Sequence, residues 1–177
     1  MKTLKLIKKI FAYVFVTVFF AFAITMTILL LNYNKYGVTQ FGDTSLVIVN
    51  GDISSDKYKK GDLVFVEEKK LRNLNVGDEI FTYRLEVDGT PSIELGTIGQ
   101  IYEKDNAIAF ENGDTFDMEF VIGIANSKMD GIGTYLSIIE SKWGFLFIVL
   151  VPSFLIFVYQ IYALIIEIKF GSEDEQE

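Results

Sequence analysis

The side chains that could carry chemistry gather in one stretch, Leu46-Val-Ile-Val-Asn-Gly-Asp-Ile-Ser-Ser55, followed by Tyr58-Lys-Lys-Gly-Asp-Leu-Val-Phe-Val66. Ser54 and Ser55 offer hydroxyls and Asp52 a carboxylate. A serine hydroxyl is a poor nucleophile until a nearby base takes its proton, and that base needs a pKa near the working pH. The usual base is missing, because the chain has no histidine. It has no cysteine either, so thiolate chemistry and a disulfide framework are both excluded. Carboxylates recur further on as Glu111, Asp114, Asp117 and Glu119. An oxygen-rich loop of that kind could hold calcium, but the spacing fits no EF-hand, and a polar turn is the plainer reading. Asp52 with Asp114 or Asp117 would make an acid dyad only if the two were held as a symmetric, precise pair. No metal and no cofactor are expected.

Those residues lie between two apolar runs. Half of the 177 residues are hydrophobic and the mean hydropathy is +0.33, too apolar for an ordinary soluble domain. Residues 10–31 and 143–166 contain no charged side chain. About 20 such residues cross a hydrocarbon core of roughly 30 Å. Lys2, Lys5, Lys8 and Lys9 precede the first run and predict a cytoplasmic N-terminus, segment 1–9. The run is longer than a cleavable signal's apolar core and ends in Leu29-Leu-Leu-Asn-Tyr-Asn-Lys35 without a small-x-small site, which favours an uncleaved anchor. Pro152 is expected to kink the second run. The acidic tail, 167–177, then returns to the cytoplasm. Residues 37–140 form the extracytoplasmic domain of a multi-pass plasma-membrane protein. The whole segment between the runs, Asn32–Lys142, holds 11 Lys/Arg against 19 Asp/Glu, which excludes a nucleic-acid footprint.

The outer segment reads as strands. Leu46–Val49 and Leu63–Val66 are short apolar runs bounded by Gly and Asp, as buried strands are. Over Phe81–Val87 the pattern alternates, with Phe81, Tyr83, Leu85 and Val87 on one face and Thr82, Arg84 and Glu86 on the other. Further strands are predicted over Gly96–Tyr102, Ala107–Phe110 and Phe120–Ile124, with turns at Gly61-Asp62, Gly77-Asp78, Asp88-Gly89-Thr90-Pro91 and Asn112-Gly113-Asp114. The first amphipathic helix falls at Thr134–Ser141. The predicted fold is membrane-anchored and mainly β, one small domain between two transmembrane helices.

Taken in order, Asn50-Gly-Asp-Ile-Ser-Ser55, Gly61-Asp-Leu-Val64, Gly77-Asp-Glu-Ile80, Thr82-Tyr-Arg84, Gly113-Asp-Thr-Phe-Asp117 and Gly131-Ile-Gly-Thr-Tyr-Leu136 form a recognisable series. The series resembles signal peptidase I, in the branch of the endoplasmic reticulum, archaea and spore-forming bacteria. That branch carries S-G-S-M-x-P, G-D-L-V, a G-D-x-I strand leading to T-H-R, G-D-x-N-x-x-x-D, and a Gly-rich stretch before a C-terminal membrane helix. The resemblance spans residues 46–168. It puts Asp52 at the nucleophile, or Ser54 or Ser55 if the alignment shifts, and Tyr83 at the general base, with Asp114 and Asp117 at the later acidic positions.

The resemblance therefore implies the architecture of the family without its Ser and His. Tyrosine, with a pKa near 10, is protonated at neutral pH, and a carboxylate at the nucleophile would repel a developing oxyanion. Ser54 or Ser55 with a lysine, as in the bacterial Ser-Lys branch, is an alternative. Lys57, Lys59 and Lys60 read more simply as a solvated loop. In the family an extended substrate adds as a strand beside the nucleophile strand. That implies substrate contacts at Val49, Asn50, Ile53, Phe81 and Leu85, with strand 46–50 beside strand 80–87. The expected function is recognition of signal peptides or exported preproteins without cutting, alone or with an active signal peptidase, at the lipid bilayer. The alternatives are an active serine peptidase and a two-span assembly protein.

Overall fold

The computed structural model describes residues 2–51, 53 and 55–170. The chain divides into two compact units, Leu29–Ser137 and the combination of Met1–Ile28 with Ile138–Glu177.

The second of these is helical. Helix α1 runs Lys2–Leu31, and α4, Val151–Phe170, follows the short α3, Lys142–Phe145. Ala12–Leu31 and Lys142–Ile166 are long and apolar enough to cross a membrane, with mean hydropathies of 2.6 and 2.3. The hydroxyls of Thr17, Thr25 and Thr27 donate to the carbonyls four residues back, so these groups need no water. Ser141 caps α3 by accepting the Gly144 N–H at 2.9 Å. A π turn at Leu146–Leu150 lies one residue before Pro152, whose ring nitrogen has no hydrogen to donate.

Unit Leu29–Ser137 is built on eight strands: β1 Thr39–Phe41, β2 Thr44–Ile48, β3 Leu63–Glu67, β4 Glu79–Leu85, β5 Pro91–Tyr102, β6 Ala107–Phe110, β7 Thr115–Asp117 and β8 Val121–Met129. They form one antiparallel sheet in the order β1-β2-β3-β8-β4-β5-β6-β7. Helix α2, Ile132–Glu140, closes the unit where an amphipathic helix was predicted. The predicted strands all form. The three-residue β1 and β7 were not predicted, being too short to show a period.

The expectation that strand 46–50 adjoins strand 80–87 needs correction. Strands β3 and β8 stand between β2 and β4 in the sheet. The sheet curls instead, so that β2 and β4 face one another across a core holding Val47, Val49, Ile53, Tyr58, Phe81 and Tyr83. The other face of β4 is not solvated. Ile80 packs with Leu74, Ile98, Ile108, Phe110 and Phe116 in a second core. β4 is thus a wall between two cores. Hydrophobic alternation grouped Phe81 and Tyr83, which are both buried, with Leu85 and Val87, which are exposed.

Strand β8 joins the halves of the sheet by changing partner. Its later residues pair with β3, from Glu67↔Ile124 to Leu63↔Met129, and its first residues pair with β4, as Phe81↔Gly123 and Thr82↔Val121. The exchange happens at Gly123, which has φ 139°.

Asp62 braces the opposite end. Its nearly buried carboxylate accepts the Lys59 N–H at 3.0 Å, the Gly131 N–H at 3.2 Å and the Lys128 ammonium at 3.2 Å. The Lys59 N–H, with Gly131 and Lys128 adding to it, holds the carboxyl below its ordinary value against the opposing effect of burial. A depressed folded pKa contributes stability at neutral pH that is lost as pH falls below about 4 through the folded value. The denaturation midpoint is therefore expected to drop between about pH 6 and about pH 3, and Asp62→Asn should be less stable at the upper pH and flatter across the range. An unchanged acid limb in the variant would remove Asp62 from this role.

Candidate functional site

Of the predicted catalytic positions, Asp52 and Ser54 lie outside the described residues. Ser55 is spoken for locally: its Oγ accepts the Tyr58 N–H at 3.2 Å while its own N–H donates to the Tyr58 carbonyl at 2.7 Å, closing a tight turn. The neighbouring lysines behave as a surface loop. Lys57 pairs with Glu79 at 3.0 Å and lies over the Tyr58 ring, while Lys59 and Lys60 are exposed.

Tyr83 is held by residues the sequence reading did not single out. Its hydroxyl accepts from Asn34 Nδ2 at 2.6 Å, and the buried Ser45 side chain lies beside it. Its ring stacks on Tyr36 at 4.1 Å between centroids. Asn34 is fully used: Oδ1 accepts the N–H groups of Tyr36 (2.9 Å) and Val38 (3.1 Å), and Nδ2 also reaches Gln40 Oε1 at 3.2 Å. Burial pushes the Tyr83 pKa up, more than the bonds to Asn34 and Ser45 lower it. The phenol stays neutral over the physiological range, and the neighbouring Ser45 gains no base from it. One signal for Ser45 was present: it shares the inward face of β2 with Val47 and Val49, where a polar side chain needs a partner.

Thr82 shows the reverse condition. Its hydroxyl is buried and has no hydrogen-bond partner among the described residues. An unsatisfied buried hydroxyl is destabilising, and valine has the same shape without it. Thr82→Val is expected to raise unfolding stability by about 1 kcal/mol, read as a higher denaturation midpoint. A loss of similar size would mean that the hydroxyl has a partner.

Arg84 leads away from the cores. Its Nε donates to Glu94 Oε2 at 2.6 Å, its Nη2 pairs with Asp114, and the guanidinium lies over Phe116. Glu94 first, then Asp114, raises its pKa, so its charge is permanent. Asp114 is thus a structural partner of Arg84, while Asp117 stands exposed at the end of β7. Among the described residues no group of three or more His, Cys, Asp or Glu is placed to hold a metal.

The predicted substrate contacts divide. Val49, Ile53 and Phe81 are core residues, with Phe81 completely buried, so they do not form the shallow open walls expected of them. Asn50 and Leu85 are exposed. The predicted docking edge, Leu46–Asn50, is partly covered, because β1 pairs with Thr44–Leu46.

A different edge is open. β4 pairs with β5 as far as Leu85, but its pairing with β8 ends at Thr82, where the chain of β8 turns away through a 3-10 turn at Met118–Phe120. Among the described residues, no strand pairs with Tyr83–Leu85 on that side. These residues and the terminal strand β7 line one cleft of about 260 Å³. A second cleft, about 300 Å³, lies along Ile53, Arg84 and Ile93–Leu95, so Arg84 borders both.

Comparison with known proteins leaves the family open: no family model, curated protein or solved structure matches the chain. What fold and site define is a mainly β unit, an eight-stranded curled antiparallel sheet, carried in a chain with two helices suited to a membrane.

Proposed function

We propose that this is a signal-peptidase-like membrane protein that binds an extended segment of an exported chain without cutting it. Both termini are cytoplasmic, the two long helices cross the plasma membrane, and residues 37–140 face outward. The observation that carries the binding half is the edge of β4 at Tyr83–Leu85, unpaired on the β8 side and opposite the terminal strand β7. An extended segment laid there gains backbone hydrogen bonds by strand addition, and these need neither serine nor histidine. The buried, protonated Tyr83 supports the absence of cutting, since a general base must accept a proton.

The test uses a photo-crosslinking side chain at exposed Leu85, with exposed Val76 as the control, in the full chain in bilayers. A synthetic preprotein segment with an apolar helix followed by small residues should crosslink from position 85, not from 76, and remain uncut. Equal labelling from both positions would leave the assembly reading. Product formation abolished by Ser54→Ala or Ser55→Ala would restore the peptidase reading. Orientation is checked separately. A single cysteine at position 105, in a chain that has no other, should react with an impermeant reagent from outside only.

A further inference from the structure

Resting on that reading, we infer that the segment docked between β4 and β7 carries a basic side chain, seated with its charge at Asp117 and its stem along Leu85, Phe116 and Phe120. The charges around the cleft are unequal. The one cation there, Arg84, is already matched by Glu94 and Asp114. Glu86, along the second cleft, accepts from the Ser92 hydroxyl at 2.6 Å. Asp117 is exposed and has no hydrogen bond or ion pair from its side chain among the described residues, and it forms no side-chain cap on the turn that follows it. The lining of the 260 Å³ cleft therefore holds one guanidinium, already paired, and the carboxylates of Asp114 and Asp117, of which Asp117 is the unpaired one.

The apolar part of the lining matters as much. Lysine and arginine lay an aliphatic stem on apolar surface while the charged head stays in water. The 260 Å³ cleft has both parts, with Leu85, Phe116 and Phe120 in its lining beside the Asp117 carboxylate. An acidic side chain would meet the Asp117 carboxylate and find the Arg84 guanidinium already paired. A purely apolar one would fill the floor and leave Asp117 as it is. The excess of 19 Asp/Glu over 11 Lys/Arg in segment 32–142 would also steer a basic segment toward this unit.

The experiment measures fluorescence anisotropy of labelled peptides binding to the full chain in nanodiscs. The peptides are extended, rich in small residues, and identical except for one central Lys, norleucine or Glu. The Lys peptide should bind about threefold tighter than norleucine at low salt, Glu weakest, and the advantage of Lys should shrink at high salt. Asp117→Asn should erase the preference for Lys over norleucine. If Lys and norleucine bind alike and Asp117→Asn changes nothing, the charge preference is wrong and strand addition stands. If no peptide binds, the docking reading beneath it fails as well.

Discussion

Gly123→Ala is expected to lower the stability of the β unit by about 4 kcal/mol, the sum of a strained backbone and an overpacked contact. That is a large share of the 5–15 kcal/mol of an ordinary domain, and at this size it corresponds to roughly 15 °C in Tm. Two separate effects converge at this residue. Its φ of 139° is one that side chains rarely adopt, and a Cβ there would lie 2.0 Å from the Glu67 carbonyl oxygen. That oxygen is backbone of β3 and has no rotamer through which to move away. Gly123 is also the residue at which β8 leaves β3 for β4, so the strain cannot be relieved without parting the two halves of the sheet. Far-UV circular dichroism through thermal unfolding, with limited proteolysis below Tm, gives the measurement. An alanine variant with a Tm within a few degrees of the parent would show that β8 does not pass Gly123 in this conformation.

Asn34→Ala is expected to remove about 3 kcal/mol, as four hydrogen bonds disappear and the Tyr83 hydroxyl loses a donor in a nearly closed site. The two backbone bonds shape the turn after α1, and the two side-chain bonds tie that turn to Gln40 and β4. Because Asn34 and Tyr83 share one bond, Asn34→Ala and Tyr83→Phe should not add: the double variant is expected to lose about 1 kcal/mol less than the separate losses together. Strict additivity would reduce Asn34 to a turn former with no energetic coupling to the Tyr83 hydroxyl.

Part of the site was legible beforehand. The alternation over Phe81–Val87 put Phe81 and Tyr83 on the inward face, where both are buried. The Gly61-Asp62 pair marked a turn whose carboxylate proves to be a brace. Asn34 was not legible, because one asparagine after an apolar helix looks like any polar boundary. Arg84 and Asp114 were visible as charges but not as partners, since 30 residues and two hairpins separate them.

What the sequence by itself determined is set by local rules. Uncharged runs of membrane length make membrane-suited helices, apolar stretches between Gly and Asp make strands, and the lack of histidine and cysteine removes the commonest base and the thiolate. Tertiary structure alone decided which strands face each other. Strand order follows from where β8 changes partner, a single backbone conformation at Gly123 that no periodicity encodes. The curl that results brings Ser45 and Asn34 to Tyr83, while Ser55 is engaged in its own turn with Tyr58. It also leaves the edge of β4 open beside β7, because a strand can be paired on one side only for as long as its neighbour continues.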